Sequence, residues 1–156
     1  MWSRRIDEVK IKLYSSVFYG IFFGFVLTIV GSIINNGNID WSRFPIEFIA
    51  STIIGTIMGI IVPGGEISGI LTKKLAKPGT FLYKLIFNCI LMVIILLYMC
   101  PLMTIFFGCI LNGASIMTVL PDMFSLAPYF FAICVFLLLF VGEGIMNLAM
   151  KLAKDD

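Results

Sequence analysis

The chain has 156 residues, 60% of them hydrophobic and 13% charged, with a mean hydropathy of +1.07. A soluble domain carries about 25% charged residues, so water is the wrong solvent for this composition. A net charge of +2, with basic residues clustered beside apolar segments, gives no nucleic-acid footprint; the absence of histidine removes the commonest metal ligand and the usual base near neutral pH.

The first apolar segment, 13–34, follows a basic tail containing Arg4, Arg5, Lys10 and Lys12. As a helix it measures about 33 Å, enough to cross a hydrocarbon core of roughly 30 Å. It is too long for a signal-peptide core and has no small-x-small cleavage site before the polar turn at Asn35, Asn36, Gly37 and Asn38. It therefore reads as a retained span.

Ser16, Gly20, Gly24, Thr28 and Ser32 recur along it at every fourth position. Small residues at this spacing let two helix backbones approach closely. A matching series, Ser51, Gly55 and Gly59, lies on the next segment, so spans one and two are expected to pack intimately. A second protomer is the alternative target of the stripe.

The second segment begins near Pro45, a residue suited to a first helical turn, and runs through Val62 to a break at Pro63, Gly64 and Gly65 before continuing to residue 71. Glu47, in its first turn, reads as a helix-terminus carboxylate, with a ligand role as the alternative. The third segment, 85–111, is long enough to tilt, and Pro101 marks where it would kink. Asn88, in its first half, is expected to hydrogen-bond a neighbouring helix, with a substrate contact as the alternative. Asp122, between Pro121 and Met123, reads as a solvated turn residue. The fourth segment, 127–150, is interrupted at Gly142, Glu143 and Gly144. Cys89, Cys100, Cys109 and Cys134 all lie in apolar stretches without C-x-x-C spacing and read as packing residues.

Ten of the eleven Lys and Arg residues lie in the N-tail, in the connector containing Lys73, Lys74, Lys77 and Lys84, or at Lys151 and Lys154; Arg43 alone lies between segments one and two. Short basic loops stay cytoplasmic, so this alternation predicts both termini and the middle connector inside a cell membrane. Tyr14 and Tyr83 then fall at the inner interface and Trp41 and Tyr129 near the outer one, where amphipathic rings are favoured.

Aligned with itself at a 77-residue offset, the stretch 65–77 matches 142–154 at seven of thirteen positions, and Asn35 meets Asn112. The expected architecture is all-α: a polytopic membrane protein whose four transmembrane helices form two parallel-repeat hairpins, 1–77 and 78–156.

The basic N-tail, the hairpin ending in a Pro/Gly break, the link "TKKLAKP", the segment "LYKLIFNCILMVIILLYMCPLMTIFFG", an Asn-Gly loop and a final helix with a basic tail together resemble a family of small bacterial multi-pass membrane proteins. That family is described only as a domain of unknown function, a two-helix unit often present twice per chain. The resemblance covers nearly the whole chain and implies architecture without functional residues. The chain departs from the family at Val141, Gly142 and Glu143, where a Gly-Pro pair followed by a basic residue is typical.

Glu143 lies inside an apolar segment, and ionisable groups within spans are functional candidates by default. With its repeat counterpart Glu66 it suggests a proton or cation site at two interrupted helices, joined by Asn147 and Asn88. The plainer reading is that both glutamates reach the headgroups and pair with Lys74 and Lys151, which snorkel, with Glu143, Asn147 and Lys151 as one polar stripe.

The functional reading is a small transporter or transporter accessory subunit with a polar site at the inner ends of helices two and four. The alternative is a membrane-embedded interaction, immunity or assembly protein whose small-residue faces bind another membrane protein or a second copy. An enzyme is not expected, because no nucleophile and base pair or acidic metal cluster is apparent, and no cofactor is implied.

Overall fold

The computed structural model describes the backbone of residues 2–121 and 124–155 and the side chains of 9–34, 37–121 and 124–153. Asp122 and the side chains of Arg4, Arg5, Asn35 and Lys154, which figured in the sequence reading, lie outside the described residues. Within them the fold is all-α.

Helix α1 spans Trp2–Asn36 and stops at Gly37, whose φ of 73° is left-handed and whose N–H donates to Ile33 O at 2.9 Å. Glycine takes this helix-ending conformation without the penalty of a Cβ. Helix α2, Phe44–Ile61, carries Pro45 in its first turn and ends where Val62 turns extended ahead of Pro63. A residue before proline is driven out of the helical region, so the break is local chemistry. Helix α3, Gly64–Leu75, restarts at once with Glu66 in its first turn and Lys73 and Lys74 in its last, matching the helix dipole at both ends.

Helix α4, Phe81–Thr104, is capped by Thr80, whose hydroxyl accepts the Tyr83 N–H at 3.2 Å. Its last turn contains Pro101, which offers no N–H to the carbonyl one turn back. Beyond it the rod continues as a π-helical stretch, Ile105–Leu111, closed by Asn112 N–H donating to Phe107 O at 3.1 Å. A short helix α5, Ile116–Val119, leads to α6, Ala127–Asp155.

Among the described residues, four stretches are long and apolar enough to cross a bilayer: Val9–Ile34, Phe44–Ile61, Phe81–Leu111 and Ala127–Ala153. The chain is thus a multi-pass membrane protein suited to a lipid environment. The second span differs from the stretch 45–71 expected from the sequence: it ends at Ile61, and the remainder is α3, packed on a different neighbour. Helix α1 packs along α2 and against α6, α4 packs against α6, and α3 lies on α4, with α2 and α4 touching only sparsely.

The core lies where α1, α4 and α6 meet, around Phe23, Met92, Met99, Phe130, Cys134 and Leu138. On the opposite side, Ile46, Ile49, Ile53, Ile57 and Ile60 form an exposed stripe along α2. Hydrocarbon solvates such a stripe as well as protein would, so the interior of this bundle must be recognised by its small and polar residues. The repeated stretches have different settings: 65–77 begins just inside the separate helix α3, whereas 142–154 lies within continuous α6.

Candidate functional site

The seam between α1 and α2 sets the geometry of everything beside it. A Cβ at Gly20 would collide with Thr56 Oγ1 and lie 3.0 Å from both Thr52 O and Thr56 N; one at Gly24 would lie 2.9 Å from Thr52 N. Gly55 faces the Gly20 backbone and Gly59 faces Ser16. Ser16, Gly20 and Gly24 of the stripe therefore face α2, their own hairpin partner. Thr28 is buried with its hydroxyl donating to Gly24 O at 2.8 Å.

Because α2 is drawn this tightly onto α1, it stands off from α4. Two methionines of α4 span the gap at mid-height: Met99 Cε lies 3.8 Å from where a Gly55 Cβ would be, and the Ser51 hydroxyl donates to Met103 Sδ at 3.9 Å. To each side of this bridge lies a cavity. Met99 belongs to the wall of both and is the one residue they share among those described.

The larger cavity, about 610 Å³, lies toward the end of the bundle that carries the two termini. Its wall includes Lys12, Ser15, Ser16 and Tyr19 of α1, the α2–α3 junction from Pro63 to Glu66, and Tyr98 of α4. The Tyr19 hydroxyl donates to Gly142 O at 3.2 Å, tying α1 to α6 beside it.

The smaller cavity, about 430 Å³, lies toward the opposite, loop end. Thr28 and Ser32 of α1, Glu47 and Ser51 of α2, and Thr104 of α4 line it, with Arg43 and Asn112 at its mouth. Arg43 Nη1 donates to Asn112 Oδ1 at 3.1 Å, linking the start of α2 to the end of the π-helical stretch. Its Nε lies 3.9 Å from Asp40 Oδ2. Glu47, one turn into α2, makes no hydrogen bond or ion pair among the described residues.

The residues singled out from sequence divide sharply. Glu66 is exposed and lines the larger cavity, whereas Glu143, Asn147 and Asn88 line neither cavity. Glu143 is exposed and pairs with Lys84 of α4. The pairing expected with Lys74 or Lys151 does not form, because Glu143 is level with the first turn of α4 and α6 continues beyond it. Asn147 is exposed on that continuation, and Asn88, half-buried on α4, makes no side-chain hydrogen bond of the kind expected among the described residues.

As site residues, Arg43, Asn112, Thr104 and Met99 were not singled out from sequence, and Glu47 was read first as a helix-terminus carboxylate, with a ligand role as the alternative. One signal was present: Arg43 is the only basic residue between the first two spans, and Glu47 is a carboxylate inside the second. Among the described residues no three His, Cys, Asp or Glu side chains gather into a possible metal set. Compared with known proteins, the chain matches no family model, no curated protein and no solved structure.

Proposed function

We propose that the chain is a small transporter, or the conducting subunit of one, that passes a small polar solute across a bacterial cell membrane between α1, α2 and α4. The observation that carries this reading is the pair of cavities placed back to back across Met99, one reaching each end of the bundle and each bearing charged residues near its mouth. A site reachable from alternate sides of a central barrier is what alternating access requires. The distribution of Lys and Arg orients it, with the termini, the α3–α4 connector and the cavity of Glu66 on the cytoplasmic side and the cavity of Arg43 outside.

The polar site of this reading differs from the one expected from sequence: Glu66 belongs to the inner mouth, and Glu143 is a surface link between α4 and α6. The rival reading as an interaction, immunity or assembly protein needs a small-residue face free for a partner. The longest such face is occupied by α2.

The test is sidedness of access. With the four native cysteines replaced, Thr104→Cys and Ser15→Cys each place a thiol on one cavity wall. A small, charged, membrane-impermeant thiol reagent is expected to modify Thr104→Cys only from outside intact cells and Ser15→Cys only from the cytoplasmic side of inverted vesicles. Failure of both to react would mean a dry bundle and overturn the reading.

A further inference from the structure

We infer that the loop-end cavity is a binding site for a small zwitterion with an apolar side chain, an α-amino acid in chemical class; this rests on the transport reading and names its solute. The starting point is a pair of opposite charges that do not meet. Arg43 and Glu47 stand four residues apart, the spacing at which a carboxylate and a guanidinium on a helix ordinarily pair. Here Arg43 is turned toward Asn112 and Asp40, and Glu47 is left without an ion-pair partner within the wall of a cavity in a membrane-spanning helix. Arg43 acts on this first-turn carboxylate through space, without a direct hydrogen bond or ion pair, so the carboxylate oxygens stay open to a ligand cation on the cavity side.

A ligand ammonium can take that position beside Glu47. The guanidinium has five N–H donors, of which Asn112 occupies one and Asp40 lies near another, so those remaining can take a ligand carboxylate. Below these charges the wall turns to Ser51, whose hydroxyl has only the weak acceptor sulfur of Met103 as a partner, and then to Leu96, Met99 and Phe130. A volume of about 430 Å³ lies within the roughly 300–1,000 Å³ typical of small-molecule sites. Charged groups at the mouth and an apolar floor match a molecule with both charges at one end and a hydrocarbon group at the other.

The experiment uses the full chain in detergent or nanodiscs with three probes of one shape: L-leucine, L-leucinamide, which keeps only the cation, and 4-methylpentanoate, which keeps only the anion. Calorimetry is expected to show L-leucine binding at least about tenfold more tightly than either single-charge analogue, the order expected for loss of one charge-assisted contact. Glu47→Gln and Arg43→Gln should each lower L-leucine affinity by a similar factor, with Arg43→Lys retaining more of it, while thermal midpoints report that the variants remain folded. Equal binding of leucinamide and leucine would make this a simple cation site and overturn the inference. So would binding unaffected by Glu47→Gln, or no binding of L-leucine. In each of these cases two-sided thiol access would still stand or fall by itself, so the transport reading and the zwitterion assignment fail separately.

Discussion

At the scale of single residues, the helical glycines include two physical classes that respond oppositely to the same substitution. Gly24 sits where a Cβ would lie 2.5 Å from Thr52 Oγ1 and 2.9 Å from Thr52 N. The hydroxyl could rotate, but the backbone nitrogen cannot move without separating α1 from α2. Gly24→Ala should therefore destabilise by about 1–3 kcal/mol despite the better helix propensity of alanine, and Gly24→Leu should disrupt folding. Gly144, inside α6, has nothing within 4 Å of an added Cβ. Gly144→Ala should be neutral or stabilise by up to about 1 kcal/mol. Thermal melts of the two alanine variants in one detergent check the contrast; matching shifts would refute it. The first class was legible from the sequence because small residues at every fourth position directly encode a close helix face. Which glycines lack a neighbour was not legible, since all read alike until the opposing surface is known.

At the scale of elements, boundaries follow local chemistry, and the polar turn at Gly37, the break at Pro63 and the α1–α2 pairing were legible in advance, whereas the start of α4 at Thr80 and the other partners were not. Pro63 ends α2, Gly37 ends α1 and Thr80 begins α4 for reasons contained within a few residues. Thr80→Ala removes the acceptor of the Tyr83 N–H and should cost about 1 kcal/mol, measurable as a lowered thermal midpoint and restored by Thr80→Ser. The transfer of α3 from the side of α1 to that of α4 has no such local signature. It rests on Gly64 nestling beside Leu91 and Ile94, and Gly69 approaching Phe87. The partner of Glu143 was hidden for the same reason: Lys84 is 59 positions away in sequence (143 minus 84) and is brought alongside only by the packing of α4 on α6. That pair is exposed, with 47% and 68% of the two side chains accessible, so its contribution should be about 0–1 kcal/mol. Glu143→Gln should accordingly leave both the thermal midpoint and any solute flux close to wild type. A large loss of flux would instead make Glu143 part of the polar site.

For the molecule as a whole, the tight α1–α2 seam has a cost elsewhere, and the cavities are where it appears. Helices cannot all approach to backbone contact in one bundle, so pressing α2 onto α1 opens the space between α2 and α4, which the unbranched side chains of Met99 and Met103 bridge. Met99 is only 2% exposed, yet it has open volume on both sides and a flexible thioether, properties that suit a barrier able to move without unfolding its surroundings. Truncating it should join the cavities instead of leaving an isolated void. Met99→Ala is expected to raise passive permeation of glycerol into proteoliposomes several-fold over wild type, read as faster osmotic reswelling, whereas Met99→Leu, which preserves volume, should not. If Met99→Ala vesicles stay as tight as wild type while the protein remains folded, the two cavities do not form one path. The arrangement would then be a packing consequence of the glycine seam, with no conducting role for Met99.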